Sequence, residues 1–140
     1  TRLVRKGRLR SPPSVTTSKV LFETVQKKFR HLDREQFAVL YLDTGLRPIG
    51  FKVESVGSAS QCLVDTRLLL KDALVAGASA IALFHNHPSS ERSPSAEDRN
   101  LTARIHKACV SVGIKLIDHI IICDSTFFSF ADSCELNPNM

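Results

Sequence analysis

Hydrophobic and polar positions along the chain alternate between two periods. From Ser18, SKVLFETVQKKF carries Val20, Leu21, Val25 and Phe29 at helical spacing, which predicts an amphipathic helix after the irregular SPPS at 11–14. QFAVLYLD (36–43) and IGFKVESVG (49–57) are rich in strand formers and flank the turn sequence TGLRP, so they predict a hairpin. A short extended piece, QCLVD (61–65), precedes TRLLLKDALVAGA, whose leucines suit a helix ending at Gly77. SAIALFHNH (79–87) reads as a buried strand that Pro88 stops. From Ser95, SAEDRNLTARIHKACVSVG places Leu101, Ile105, Ala108 and Val112 on one helical face and closes at Gly113. IKLIDHIIICD (114–124) is a strongly apolar strand, and FFSFAD (127–132) a short last one. The order α-β-β-(β)-α-β-α-β-β predicts an α/β sandwich, a mixed β-sheet with helices packed against it.

Composition narrows this picture. At 140 residues and 43% hydrophobic content the chain fits one domain, expected over residues 17–140 behind an arm or linker at 1–16. No stretch of eighteen apolar residues and no secretion-type leader is present, so no membrane partner is expected and the cytoplasm is the expected compartment. Five of the 19 basic residues are Arg2, Arg5, Lys6, Arg8 and Arg10, and the other 14 balance the 14 acids. The excess charge therefore sits in the arm, as a solvated tail or as a contact for nucleic acid phosphates. Cys62, Cys109 and Cys123 lie in apolar runs and Cys134 stands apart; with no C-x-x-C pair, the reading is buried, reduced thiols rather than a metal or disulfide framework.

The chemistry concentrates in HNHPSSERSPSAED (85–98). Alternate side chains of a strand share a face, so His85 and His87 point the same way with Cα atoms roughly 6 to 7 Å apart, while Asn86 faces the other way. The ten residues that follow His87 are enough to bring Asp98 back over the strand end. Two imidazoles and one carboxylate leave a tetrahedral position open, the pattern of a catalytic zinc site. Each residue also has a structural reading. Ser95-x-x-Asp98 resembles a capping box, or Ser93 caps with Pro94 at the first helical position. Asp118 and His119 lie on opposite faces of a strand, so one of them is expected to face the core, in a structural or supporting role. His31 and His106 read as surface histidines. The spread ββα ligands of HNH nucleases, the H-x-E with P-C-x-x-C of zinc deaminases, and H-E-x-x-H are all absent.

The full pattern H-x-H-P-x6-S-x-x-D resembles the JAMM metal-binding motif of the JAB/MPN family, and HNHPSSERSPSAED is most similar to its RadC-like branch, with Ser90 in place of a usual glycine. LDTGLRPIG, the SVG at 55–57, GASAIALFHNHP, LIDHIII and FSFAD extend the resemblance over nearly the whole chain. It implies the cytidine-deaminase-like sandwich, with His85, His87 and Asp98 as zinc ligands and Ser95 stabilising the bound water or the oxyanion. It also implies a glutamate on an earlier strand as general base. Relatives carry that acid near positions 52 and 53; this chain offers Glu54, which also reads as a solvated strand residue. The expected activity is zinc-dependent hydrolysis of a peptide or isopeptide bond in a peptide or protein substrate. The alternatives are a role in DNA metabolism, for which RadC-like proteins have been labelled, and a metal-binding interaction module without catalysis. Neither the substrate nor the oligomeric state is legible.

Overall fold

A computed structural model describes residues 12–29, 34–57, 64–88 and 91–136. Strands β1 (Gln36–Leu42), β2 (Pro48–Val56), β3 (Ala80–Asn86), β4 (Lys115–Cys123) and β5 (Thr126–Ser129) form one mixed sheet in the order β2-β1-β3-β4-β5. β1 runs antiparallel to both β2 and β3, β4 is antiparallel to β5, and β3 and β4 are parallel. A parallel pair needs a crossover, and helix α3 (Ala96–Val112) supplies it.

The period-2 alternation of the strands divides the core in two. On one face Ala38, Leu40, Leu42, Ala82, Phe84, Ile120 and Ile122 pack against Leu21, Phe22 and Val25 of α1 (Ser18–Val25) and Phe29 of the following 3-10 turn. On the other, Phe37, Val39, Tyr41, Ile81 and Leu83 meet Leu69 and Ala73 of α2 (Thr66–Val75) and Ile105 and Cys109 of α3. Helices thus cover both faces, and β3 is buried at every position, which is why it reads as a continuous apolar run.

The predicted elements lie where the pattern puts them, with instructive differences. Residues 61–63 of the third extended piece lie outside the described residues; Asp65 at its end caps α2 by accepting from the amides of Arg67 and Leu68. Val15, within the segment assigned to the arm, is buried and hydrogen-bonds Leu46, so packed structure starts ahead of residue 17. The basic residues of the arm, His31 and Cys62 lie outside the described residues. Cys109 and Cys123 are buried, and desolvation pushes the Cys109 thiol up to about 11. Among the described residues no helix is long and apolar enough to cross a membrane.

Helix α3 is rotated relative to its apolar periodicity. Its buried residues are Asp98, Thr102, Ile105, His106 and Cys109, whereas Val110 and Val112 are exposed. His106 is therefore not a surface histidine. Asp118 and His119 are both buried, because the sheet is covered on both sides. Asp118 accepts hydrogen bonds from the Ser129 hydroxyl and from the His119 and Ala131 amides.

Candidate metal centre

β3 delivers His85 on the face beneath α3, in line with Ile81 and Leu83. His87 lies just beyond the strand, tied back by its amide to the Ile122 carbonyl, and the two rings stand 5.1 Å apart at 86°. The start of α3 brings Asp98 onto them. Ser95 is the N-cap, not Ser93: its hydroxyl accepts from the Asp98 amide at 3.1 Å, and Asp98 Oδ2 accepts from the Ser95 amide at 2.8 Å. This capping box locks the Asp98 side chain, which places Oδ1 3.1 Å from His85 Nδ1 and Oδ2 3.1 Å from His87 Nε2. On the other edge of the His85 ring, Nε2 lies 3.4 Å from Glu35 Oε2. Glu35, His85 and Asp98 are all buried.

The protonation of His87 carries most of the chemical information. Its Nδ1 lies 2.9 Å from the carbonyl of Glu91, an oxygen that only accepts, so Nδ1 bears a hydrogen. In the neutral ring Nε2 would then be a bare lone pair facing a carboxylate oxygen. That pairing is repulsive unless a proton or another cation lies between them. Without metal the proton serves: the hydrogen bond to Asp98 holds the imidazolium above the ordinary histidine value, more than burial lowers it. Burial alone would raise the Asp98 carboxyl, but hydrogen bonds from the His85 and His87 rings and from the Ser95 amide outweigh it and hold the group well below the usual carboxylate range.

These donors suit a metal ion. Ligands about 2.0 to 2.1 Å from a tetrahedral zinc stand roughly 3.3 Å apart, close to the 3.1 Å that separates one Asp98 oxygen from His85 Nδ1 and the other from His87 Nε2. Among the described residues, Glu35, His85 and His87 each offer a ligand atom within 4.8 Å of the others. Mixed imidazole and carboxylate donors fit zinc and other divalent transition metals.

In comparison with known proteins, residues 15–136 match the RadC-like JAB domain. The chain belongs to the RadC-like JAB family. It is 39% identical over 125 residues to a UPF0758 protein of Psychrobacter sp. (strain PRwf-1), covering 89% of this chain and 55% of that protein. It is 41% identical over 117 residues to a UPF0758 protein of Desulforudis audaxviator (strain MP104C), covering 84% and 51%. It is 35% identical over 127 residues to one from Thermotoga maritima, covering 91% and 57%. The chain spans about half the length of the curated relatives it matches.

In this RadC-like JAB domain the glutamate beside the histidines is Glu35, not Glu54. The hairpin pairs β2 with β1, but β1 alone borders β3, so β2 stands two strand spacings, about 10 Å, from the strand that bears His85. Glu54 is the extra residue of a bulge between the Phe37–Ser55 and Ala38–Val53 pairs. Its carboxylate accepts from the Tyr41 hydroxyl at 3.0 Å and lies beside the Lys52–Asp72 ion pair. Burial raises its carboxyl above the ordinary glutamate value, against the Tyr41 hydrogen bond and the Lys52 charge. Glu35 precedes β1 in the same alternation as Phe37, Val39 and Tyr41, and Phe37 pairs with His85. That parity was readable; the adjacency of β1 and β3 was not.

His119 of β4 supports the site from below. Its ring is fully buried, stacked on Phe130 with centroids 4.7 Å apart, and packed edge-on against Phe37. The single hydroxyl hydrogen of Thr102 is donated to the Asp98 carbonyl at 2.7 Å, so His119 Nδ1, 2.6 Å away, must be the donor to Thr102 Oγ1. His119 is thus neutral with its hydrogen on Nδ1, and burial pulls its value down to about 3.

Proposed function

We propose that this domain is a zinc-dependent hydrolase of peptide or isopeptide bonds, with His85, His87 and Asp98 as ligands and Glu35 as the proton-transfer group. One observation carries the reading: His87, with its Nδ1 hydrogen committed to the Glu91 carbonyl, aims Nε2 at a locked, ionised Asp98. A zinc ion held there supplies a Lewis acid and lowers the pKa of water towards neutrality. The protein residues do the rest. The capping box keeps Asp98 ionised and oriented, and the Glu91 carbonyl keeps the His87 lone pair turned towards it. Glu35, buried with Oε2 3.4 Å from His85 Nε2 and within 4.8 Å of a His87 ligand atom, is the group that would take a proton from the attacking water and return it to the leaving amine. The Ser95 hydroxyl oxygen accepts the Asp98 amide as the helix cap, and its hydrogen is left to steady the developing oxyanion. Family membership supports the reaction class, and the substrate is taken to be a peptide or protein.

The test is zinc content by elemental analysis together with cleavage of a peptide library read by mass spectrometry. Asp98→Asn is expected to lose zinc and cleavage together. Glu35→Gln is expected to keep zinc and lose cleavage, and Glu54→Gln to keep both. Wild-type zinc content in Asp98→Asn would remove Asp98 from the ligand set, and a cleavage loss in Glu54→Gln with none in Glu35→Gln would return the base to Glu54.

A further inference from the structure

The residue between the two histidines is buried and projects away from their rings. Both functions of the Asn86 side-chain amide are spent on one short piece of chain. Nδ2 donates to the Arg34 carbonyl at 2.8 Å, and Oδ1 accepts from the Gln36 amide at 2.6 Å. Arg34 and Gln36 are the two neighbours of Glu35.

The geometry has a simple physical meaning. Backbone pairing between β1 and β3 reaches Phe37 and His85 and goes no further towards the rim. A carboxamide carries the same donor and acceptor as a peptide unit, so Asn86 adds one side-chain rung beyond the backbone ladder. With the Glu35 carbonyl accepting from the Gly57 amide at 2.9 Å, the backbone is fixed immediately before, at and after Glu35. Only side-chain torsions remain to aim the carboxylate.

We infer that Asn86 is a positioning residue that clamps the backbone on both sides of Glu35 and so holds its carboxylate against His85. The inference rests on the proposed role of Glu35. It explains why the position between the ligands takes a side chain able to donate and accept at once. Aspartate keeps the acceptor for Gln36 but turns a carboxylate oxygen on the Arg34 carbonyl; serine is too short to bridge both groups; alanine leaves both backbone groups unpaired.

The experiment compares wild type, Asn86→Ala and Asn86→Asp by amide hydrogen exchange at Gln36 and by the NMR carboxyl resonance of Glu35 during titration with zinc chloride. In Asn86→Ala exchange at Gln36 is expected to accelerate about tenfold, the equivalent of one lost net hydrogen bond, whereas Asn86→Asp keeps the Gln36 acceptor, loses only the bond to the Arg34 carbonyl, and is expected to accelerate it less. Zinc is expected to shift the Glu35 resonance in wild type, and at least half of that response should disappear in the variants while the Asp98 resonance responds as before. Wild-type exchange at Gln36 in Asn86→Ala, or an undiminished Glu35 response in either variant, would overturn the clamp. If Asn86→Ala does not fold, Asn86→Ser carries the same measurements. Should wild type itself take up no zinc, the metal reading fails by its own result, and the exchange rate alone decides the clamp.

Discussion

His119 makes the acid stability of this domain calculable. The folded protein holds the imidazole neutral at about 3, by burial first and then by the neighbouring His85, whereas an unfolded chain protonates it near 6.5. Its Nδ1 hydrogen is committed to Thr102, and Nε2 is buried with no hydrogen-bond partner among the described residues, so an added proton would have nothing to bind. Between these two values the unfolded state binds the extra proton and the folded state does not, and stability must fall as pH falls. Above about pH 7 both states are neutral and the effect vanishes. At pH 5 the unfolded chain gains RT ln(1 + 10^1.5), about 2 kcal/mol. His87 acts in the opposite direction, since its folded value is raised, so the His119 contribution must be isolated by difference. The assay is urea unfolding of metal-free wild type and His119→Phe at pH 8 and pH 5. The loss of the Thr102 hydrogen bond and the larger ring shift the variant's stability equally at both pH values and cancel. Wild type is expected to lose about 2 kcal/mol more than the variant between the two conditions. An equal loss in both proteins would show that His119 is charged or hydrated in the fold, and would refute the neutral, depressed imidazole on which the calculation rests.

Two further outcomes follow from the site. Because His87 in the metal-free domain holds a proton on Nε2 above the ordinary histidine value, zinc binding at pH 6 is expected to expel close to one proton from it, and less as pH rises past that raised value; calorimetry in buffers of different ionisation enthalpy reads the number. Ser95→Ala is expected to cost about 1 kcal/mol in thermal or urea unfolding through the lost N-cap, and to weaken zinc retention because Asp98 loses half of its capping box; Ser95→Thr should recover most of the stability.

Much of the fold was legible because it depends on local periodicity. The continuous apolar run of β3 marked a strand covered on both faces, and the cap at Ser95 and the glycine after α3 marked that helix's two ends. The histidine spacing and the acid at the third helical position are local as well, and the fold brings Asp98 to 3.1 Å from a ring nitrogen of each histidine. Apolar periodicity misjudged the inner face of α3, since Asp98, Thr102 and His106 are polar residues buried at helical spacing and a hydrophobic pattern cannot register them.

Which glutamate meets the histidines is a different kind of question. Glu54 and Glu35 sit at the same rim of the hairpin, and nothing within either segment says which hairpin strand pairs with β3. The sequence by itself determined the elements, most of their ends and the spacing of His85, His87 and Asp98, all set by forces acting over a few residues. Only the tertiary structure decided strand order, and strand order alone puts Glu35 one strand spacing from His85 and Glu54 two, because side chains of this length reach across one neighbouring strand and not across two.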